Sequence, residues 1–373
     1  MAFHSILPRR SGGARLATRG THVASAMLLA LLVSACVSTP PDTYDPQREH
    51  HRPDGFVNRY GPAGGHSLSD IAKWRWQAWR ADRPAPPSRF RDGYGGFEVV
   101  RPDVAAILAE PRDSATWIGH ATVWLRVGGI NILTDPHFGE RASPFSWLGP
   151  VRRVPLPISL DELPHVDAVV ISHNHPDSLD EQTVRALRDQ DGGAPLFFVP
   201  LGLRPWFEER GIDSVQAMDW WDTRSAFDLR FTFVPAQHWS ARGLFDRNQS
   251  LWGGWVIAGD RRKVYFAGDS GYSRDLAEIG ARFGGFDLAL LPVGAYEPRW
   301  FMQDHHLNPE EAVLVHQDVH ARQSVGIHWG TFELGDEPLD QPIGDLAAAL
   351  AKHAIDPARF VLLRHGETFW LNP

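Results

Sequence analysis

From residue 97 onward the chain alternates between short apolar runs and polar breaks, and most runs have the length of strands rather than helices. "ATVWLRVGGINILTDP" predicts two strands around a Gly-Gly turn. "VDAVVIS" is almost wholly apolar, as suits a strand buried on both faces. "LRFTFVPA", "LWGGWVIAG", "KVYFAGD", "FDLALLPV" and "QSVGIHW" form a second β-rich series. Helical spacing interrupts twice. "LDEQTVRALRD" puts Val184 and Leu187 on one side, and "NPEEAVLVHQDV" carries Pro309 in its first turn, where proline is tolerated. This order predicts two sheets packed together with helices outside, over a main domain of residues 97–373.

The pattern upstream is different. "SLSDIAKWRWQAWRADRPAPP" predicts a short helix that Ser67 or Ser69 can cap and Pro84 ends. Its Trp74, Trp76 and Trp79 do not share one face, so residues 67–96 read as packing on the main domain, with lipid contact the weaker alternative. Residues 36–66 are rich in Pro, Asp, Arg and Gly, lack any period and predict a flexible tether. Before them, Arg9, Arg10, Arg15 and Arg19 precede the uncharged run "VASAMLLALLVSAC", too short for a membrane span but suited to a secretory signal. Ser34, Ala35 and Cys36 resemble the lipobox of bacterial lipoproteins. That resemblance implies cleavage after residue 35 and lipidation of Cys36. An ordinary signal with an incidental cysteine is the alternative. Val37 rather than aspartate after the cysteine implies the outer membrane, facing the periplasm. The Arg9-Arg10 pair leaves Sec and twin-arginine export both open.

Composition narrows the class. Of 373 residues, 43% are hydrophobic and 22% charged, as in a globular protein with a sizeable core. The net charge of -8 argues against nucleic acid as a partner. Cys36 is the sole cysteine, so once it is acylated neither disulfides nor thiolate ligands are available.

Candidate chemistry sits where the apolar strands end. His173, His175 and Asp177 follow "VDAVVIS", His238 follows "LRFTFVPAQ", Asp269 follows "KVYFAG", His328 follows "QSVGI" and Asp135 follows "INILT". One histidine at a strand end is more often structural than a ligand; their recurrence is what points to a metal. Imidazole and carboxylate suit Zn2+, and in extended chain His173 and His175 point to the same face.

"HNHPDS" followed by His238, Asp269 and His328 resembles the metallo-β-lactamase superfamily signature. "WIGHATV", "LTDPHFGERASPFSWLGP", "FAGDSGY", "GAYEPRWFM", "IHWGTFEL" and "LRHGE" extend the resemblance to N-acylphosphatidylethanolamine-hydrolysing phospholipase D, from about Gly55 to the end. The resemblance implies an αββα sandwich, two mixed sheets flanked by helices, with the site at one edge. It implies one zinc held by His173, His175 and His238, a second by Asp177 and His328, and Asp269 between them. Asp135 would orient ligands, and His306 would stand near the scissile phosphate with His305 beside it. It further implies hydrolysis by metal-activated water assisted by Asp177 and His306, a phospholipid substrate, and a homodimer.

One position departs from that signature. Ser178 stands where the family carries a histidine ligand, and serine is a poor zinc ligand beside imidazole. Three readings follow: a weakened pair of metals, with the second site drifting to a harder divalent ion; a single active metal; or a degenerate site. Three functions follow in parallel. They are a phospholipase D-type phosphodiesterase, a lactonase or carboxylesterase of the same fold, and a lipid-binding lipoprotein without turnover.

Overall fold

The computed structural model describes residues 43–61, 67–80, 97–243 and 245–371. The expected signal peptide, Cys36, and residues 81–96 of the helical segment lie outside the described residues. A hairpin of β1 (His51–Arg52) and β2 (Gly55–Phe56) comes first. Then follow β3 (Ser114–Gly119), β4 (Thr122–Val127), β5 (Ile130–Thr134), β6 (Ala168–Val170), β7 (Leu196–Pro200) and β8 (Val215–Met218). The chain continues through β9 (Thr223–Ala226), β10 (Leu229–Val234), β11 (Gly254–Ala258), β12 (Lys263–Phe266) and β13 (Phe286–Pro292) to β14 (Ala321–Ile327), β15 (Phe360–Val361) and β16 (Thr368–Trp370). They build two seven-stranded sheets, ordered β16-β3-β4-β5-β6-β7-β8 and β15-β14-β13-β12-β11-β10-β9.

Each sheet is antiparallel at one side and parallel at the other. β3, β4 and β5 form a meander, and β5 to β8 then run parallel. β9 to β12 and β12 to β15 repeat that division in the second sheet. The parallel crossovers carry helices α3 (Glu181–Arg188) and α4 (Arg204–Glu208) in the first sheet, after α1 (Leu68–Arg80) and α2 (Val104–Ala109). In the second sheet they carry α5 (Arg274–Phe283), α6 (Arg299–Met302), α7 (Pro309–Asp318) and α8 (Gln341–Lys352). The fold is the αββα sandwich expected from the sequence.

Burial on both faces explains the continuous apolar runs. Val123, Leu125 and Val127 of β4 pack between the sheets, while Trp124 turns to the outer layer under the helices. Ala168 and Val170 of β6 face inward and Val169 outward, as the two-residue period of a strand requires. Val184 and Leu187 of α3 meet that outer face. Between the sheets Phe198 stacks on Phe231 at 4.1 Å, and the Trp255 Nε1–H donates to the Ile171 carbonyl at 2.8 Å, tying the second sheet to the end of β6.

Residues 43–61 correct one expectation. They belong to the stretch read as a flexible tether, yet His50, His51, Phe56 and Asn58 are buried. His50 and His51 reach the two oxygens of Asp219 at 2.6 and 3.0 Å, and His50 stacks on Trp220. The segment is held by polar pairs with distant residues, which leave no local hydrophobic period to read. The helix beyond it begins with Ser67 and Asp70 capping one another's N–H groups. Trp74 stacks on Phe301 at 4.7 Å and donates to Asp336, the packing role the sequence favoured, while Trp76 is exposed.

Candidate metal centre

The loops that follow β3, β5, β6, β10, β12 and β14 bring polar side chains to one edge of the sandwich. Several of these residues leave ordinary backbone space: His120 has φ 55°, Asp135 has φ 32° and His328 has φ 63°. Non-glycine residues held there are strained and concentrate at functional sites. Gly268, just before Asp269, has φ +62°, and an added Cβ would meet the Ser172 Cβ at 2.5 Å and the Gly253 carbonyl at 2.8 Å. Only glycine lets the loop after β12 come this close to the loop after β6.

His173, His175, His238 and Asp269 form the first cluster. His175 Nδ1 is 2.8 Å from His173 Nε2 and 3.2 Å from His238 Nε2. Asp269 Oδ2 lies 3.8 Å from His173 Nε2 and 3.9 Å from His238 Nε2. The outer nitrogens are already engaged: His238 Nδ1 donates to the His305 carbonyl at 2.9 Å, and His173 Nδ1 is 2.8 Å from Ser172 Oγ. Each of these two rings therefore turns Nε2 inward. Burial is the largest influence on all three histidines and holds them below the usual imidazole range, so they are neutral, lone-pair-bearing groups at neutral pH. Asp269 Oδ1 and His175 Nε2 are buried with no hydrogen-bond partner among the described residues. Converging lone pairs with orphaned polar atoms beside them fit a bound cation better than a hydrogen-bond network.

Asp177 and His328 stand beside that cluster, and Asp269 belongs to both. His328 Nε2 is 3.1 Å from Asp269 Oδ2 and 3.4 Å from Asp177 Oδ2. Burial would raise both aspartates, yet His328, joined at Asp177 by His120, holds them well below the usual carboxylate range. Burial likewise opposes charge on His328, but the two carboxylates lift it to about 10. Ser178 does not enter this group. It is fully buried, its N–H donates to the His175 carbonyl at 3.0 Å, and its hydroxyl lies by the Asp135 carboxylate without a well-formed hydrogen bond.

His120 is the residue the sequence reading passed over. It occurs within "WIGHATV" but was not singled out. Its Nε2 is 3.1 Å from Asp177 Oδ2, and its ring centroid is 4.1 Å from that of His328. Asp177 is 57 residues away in the chain, so no spacing links the two. The local signal is a histidine directly after a glycine at the end of a buried strand.

His306 faces the first cluster from the other side, with ring centroids 5.2 Å from His238 and 5.4 Å from His328. Burial lowers it to about 4. It shares a pocket of about 320 Å³ with His175, Asp177 and Asp269, walled by Trp74, Trp239, Phe301 and Met302. A larger cavity of about 800 Å³, between Arg141, Arg185, Trp206 and Arg210, contains none of the clustered residues. Asn58 supports the His238 loop directly: its Oδ1 accepts from the His238 N–H at 3.2 Å and its Nδ2 donates to the His238 carbonyl at 3.0 Å.

Fold and donor set together define a metal-dependent hydrolase. The β-lactamase superfamily domain matches residues 130–329, and the chain belongs to the metallo-β-lactamase superfamily. It is 44% identical over 231 residues to N-acyl-phosphatidylethanolamine-hydrolyzing phospholipase D 1 of Caenorhabditis elegans, a match covering 59% of this chain and 65% of that one. An uncharacterized Mycobacterium tuberculosis protein is 40% identical over 314 residues, 81% of this chain and 80% of its own. Among solved structures, isothiocyanate hydrolase from Delia radicum gut bacteria shares the fold, with a TM-score of 0.55 at 20% identity, over 69% of this chain and 98% of its own.

Proposed function

We propose that the chain is a zinc-dependent phosphodiesterase of the phospholipase D type, acting on N-acyl phosphatidylethanolamine or a closely similar phospholipid. One observation carries this reading: two donor clusters, with Asp269 within 4 Å of histidines of both, open onto a pocket walled by Trp74, Trp239, Phe301 and Met302. A polar reacting centre beside aromatic and apolar walls suits a substrate with a phosphodiester at one end and acyl chains at the other. The similarity to the nematode phospholipase supports the substrate class.

His173, His175 and His238 with Asp269 would hold one zinc, and Asp177 and His328 would contribute to a second site. Zinc bound there would lower the pKa of water and polarise a phosphoryl oxygen. Asp177, kept ionised by its histidine neighbours, can orient the attacking water and accept its proton at Oδ1, the oxygen that His120 and His328 leave free of their contact. Attack at phosphorus breaks the bond to the ethanolamine oxygen, and the proton taken from water is returned to that leaving oxygen. His306 is neutral near pH 7, so it acts better as a hydrogen-bond donor to developing charge than as a full acid. Ser172 and the His305 carbonyl keep the rings of His173 and His238 oriented throughout, while Asn58 holds the His238 backbone.

Lipidation at Cys36 would hold the enzyme against its substrate on the periplasmic side of the outer membrane. The deciding experiment incubates the purified protein with a panel of phospholipids and esters. Release of phosphatidic acid and N-acyl ethanolamine is the expected result. Release of free fatty acid, with no phosphatidic acid, would assign it instead as a carboxylesterase.

A further inference from the structure

We infer that His120 completes the second metal position, which therefore has a full set of protein ligands despite Ser178. The inference rests on reading the centre as that of a metal-dependent hydrolase and adds which residues fill it and how many ions it takes.

The four donor atoms are His120 Nε2, Asp177 Oδ2, Asp269 Oδ2 and His328 Nε2. His120 and His328 stand 3.1 and 3.4 Å from Asp177, and His328 stands 3.1 Å from Asp269. Tetrahedral zinc with bonds of 2.0–2.1 Å separates its ligand atoms by about 3.3 Å. These three spacings bracket that value, and the donor atoms of His120, Asp177 and His328 all lie within 4.8 Å of one another, with Asp269 joining the group through His328. Without a cation, the two buried carboxylates have only imidazole nitrogens near them, and Asp269 Oδ1 has no hydrogen-bond partner among the described residues.

His120 is also built into place. Its N–H donates to Thr331 Oγ1 at 2.8 Å, and its carbonyl accepts from Trp117 Nε1 and from the His328 N–H, both at 2.9 Å. Thr331 Oγ1 is in turn 3.1 Å from His365 Nε2. The backbones of His120 and His328, both at positive φ, are thus bonded directly to each other, which fixes the relation between their rings. Such support around a ligand is what precise metal geometry requires. Ser178 is held in the loop by its N–H, which donates to the His175 carbonyl at 3.0 Å.

The buried cluster of His50, His51 and Asp219 offers a comparison. Arg48 Nη1 approaches Asp219 to 3.5 Å, so a cation is already supplied there by the chain. Neither Asp177 nor Asp269 has an arginine or lysine partner among the described residues within 4.0 Å.

The test is metal stoichiometry after dialysis against a weak chelator in the presence of trace zinc, read by mass spectrometry independently of turnover. Wild type is expected to keep two zinc ions per chain, His120→Asn one, and Ser178→Ala two. Asparagine is chosen because it tolerates the left-handed backbone at position 120. Two ions retained by His120→Asn, or one by Ser178→Ala, would overturn the assignment. If His120→Asn fails to fold, the wild-type and Ser178→Ala counts still decide, since either holding a single ion overturns it. A wild type with one ion and full hydrolysis refutes the role of His120 alone. A wild type with no bound ion refutes the metal-hydrolase reading as well.

Discussion

Both oxygens of the Asp135 carboxylate are taken by a single residue, Ser172, whose N–H donates to Oδ1 at 2.7 Å and whose hydroxyl donates to Oδ2 at 2.5 Å. The same hydroxyl is 2.8 Å from His173 Nδ1. Asp135 thus acts on a metal ligand through one serine.

Asp135→Asn places an amide where two donors need acceptors, so Ser172 and the His173 ring lose their fixed orientation. Zinc affinity is expected to fall by about 10- to 100-fold, the range for lost support behind a ligand. A competition titration against a chromogenic chelator measures it. Unchanged affinity would show that the Ser172 relay contributes nothing.

Much of this site is legible in the sequence, because strand ends are visible as the places where apolar runs stop. His173, His238, Asp269 and His328 each follow such a run, and the two-sheet fold brings those ends to one edge. His120 also ends such a run, after β3, but it stands alone there, and no spacing links it to Asp177, 57 residues further on. The support from residues 43–61 was hidden too. His50 meets Asp219 across 169 residues and Asn58 meets Trp252 across 194, distances at which a local pattern says nothing. Polar pairing leaves no period in the sequence; apolar packing does.

His175→Ala removes the ring whose Nδ1 faces both His173 and His238. The first cluster keeps two imidazoles and a carboxylate but loses the ring that stands between the other two, so it should hold zinc less firmly through dialysis than the four-donor set. Bound metal at that site and phospholipid hydrolysis should be lost together. Full turnover by a metal-free His175→Ala protein would falsify the mechanism.

Gly268→Ala should destabilise the fold by about 1–3 kcal/mol, from the strain of a positive φ together with forced displacement of Ser172 or Gly253. Denaturant unfolding measures it. Because Ser172 holds His173, the same variant should bind zinc more weakly. A stable variant with normal zinc affinity would mean the two loops separate freely.

Acid should unfold the protein partly through two histidines outside the metal clusters. Burial lowers His365 to about 3 and His316 to about 4 in the folded chain, against about 6.5 when unfolded. Between those values the unfolded chain binds more protons, so stability is complete above pH 6.5 and declines as pH falls toward 3–4. His316→Gln should flatten that slope, since glutamine does not titrate. Chemical denaturation at a series of pH values from 7 to 4 tests it; identical slopes in wild type and variant would rule out His316 as a contributor.

Helix α1 supplies one wall of the pocket beside the metal centre through Trp74, which stacks on Phe301 and donates to Asp336. Trp74→Ala leaves every clustered histidine and aspartate in place but removes an aromatic surface from the acyl side. Burying one methylene stabilises by about 0.8 kcal/mol, so losing the contact of one acyl methylene should raise KM for a long-chain phospholipid roughly 4-fold. The turnover rate and metal content should change little, since no donor atom moves. A short-chain, water-soluble diester makes the necessary control, because it does not reach the wall and its KM should stay the same. Equal loss on both substrates would mean that α1 only braces the fold, and equal activity on both would remove Trp74 from the pocket.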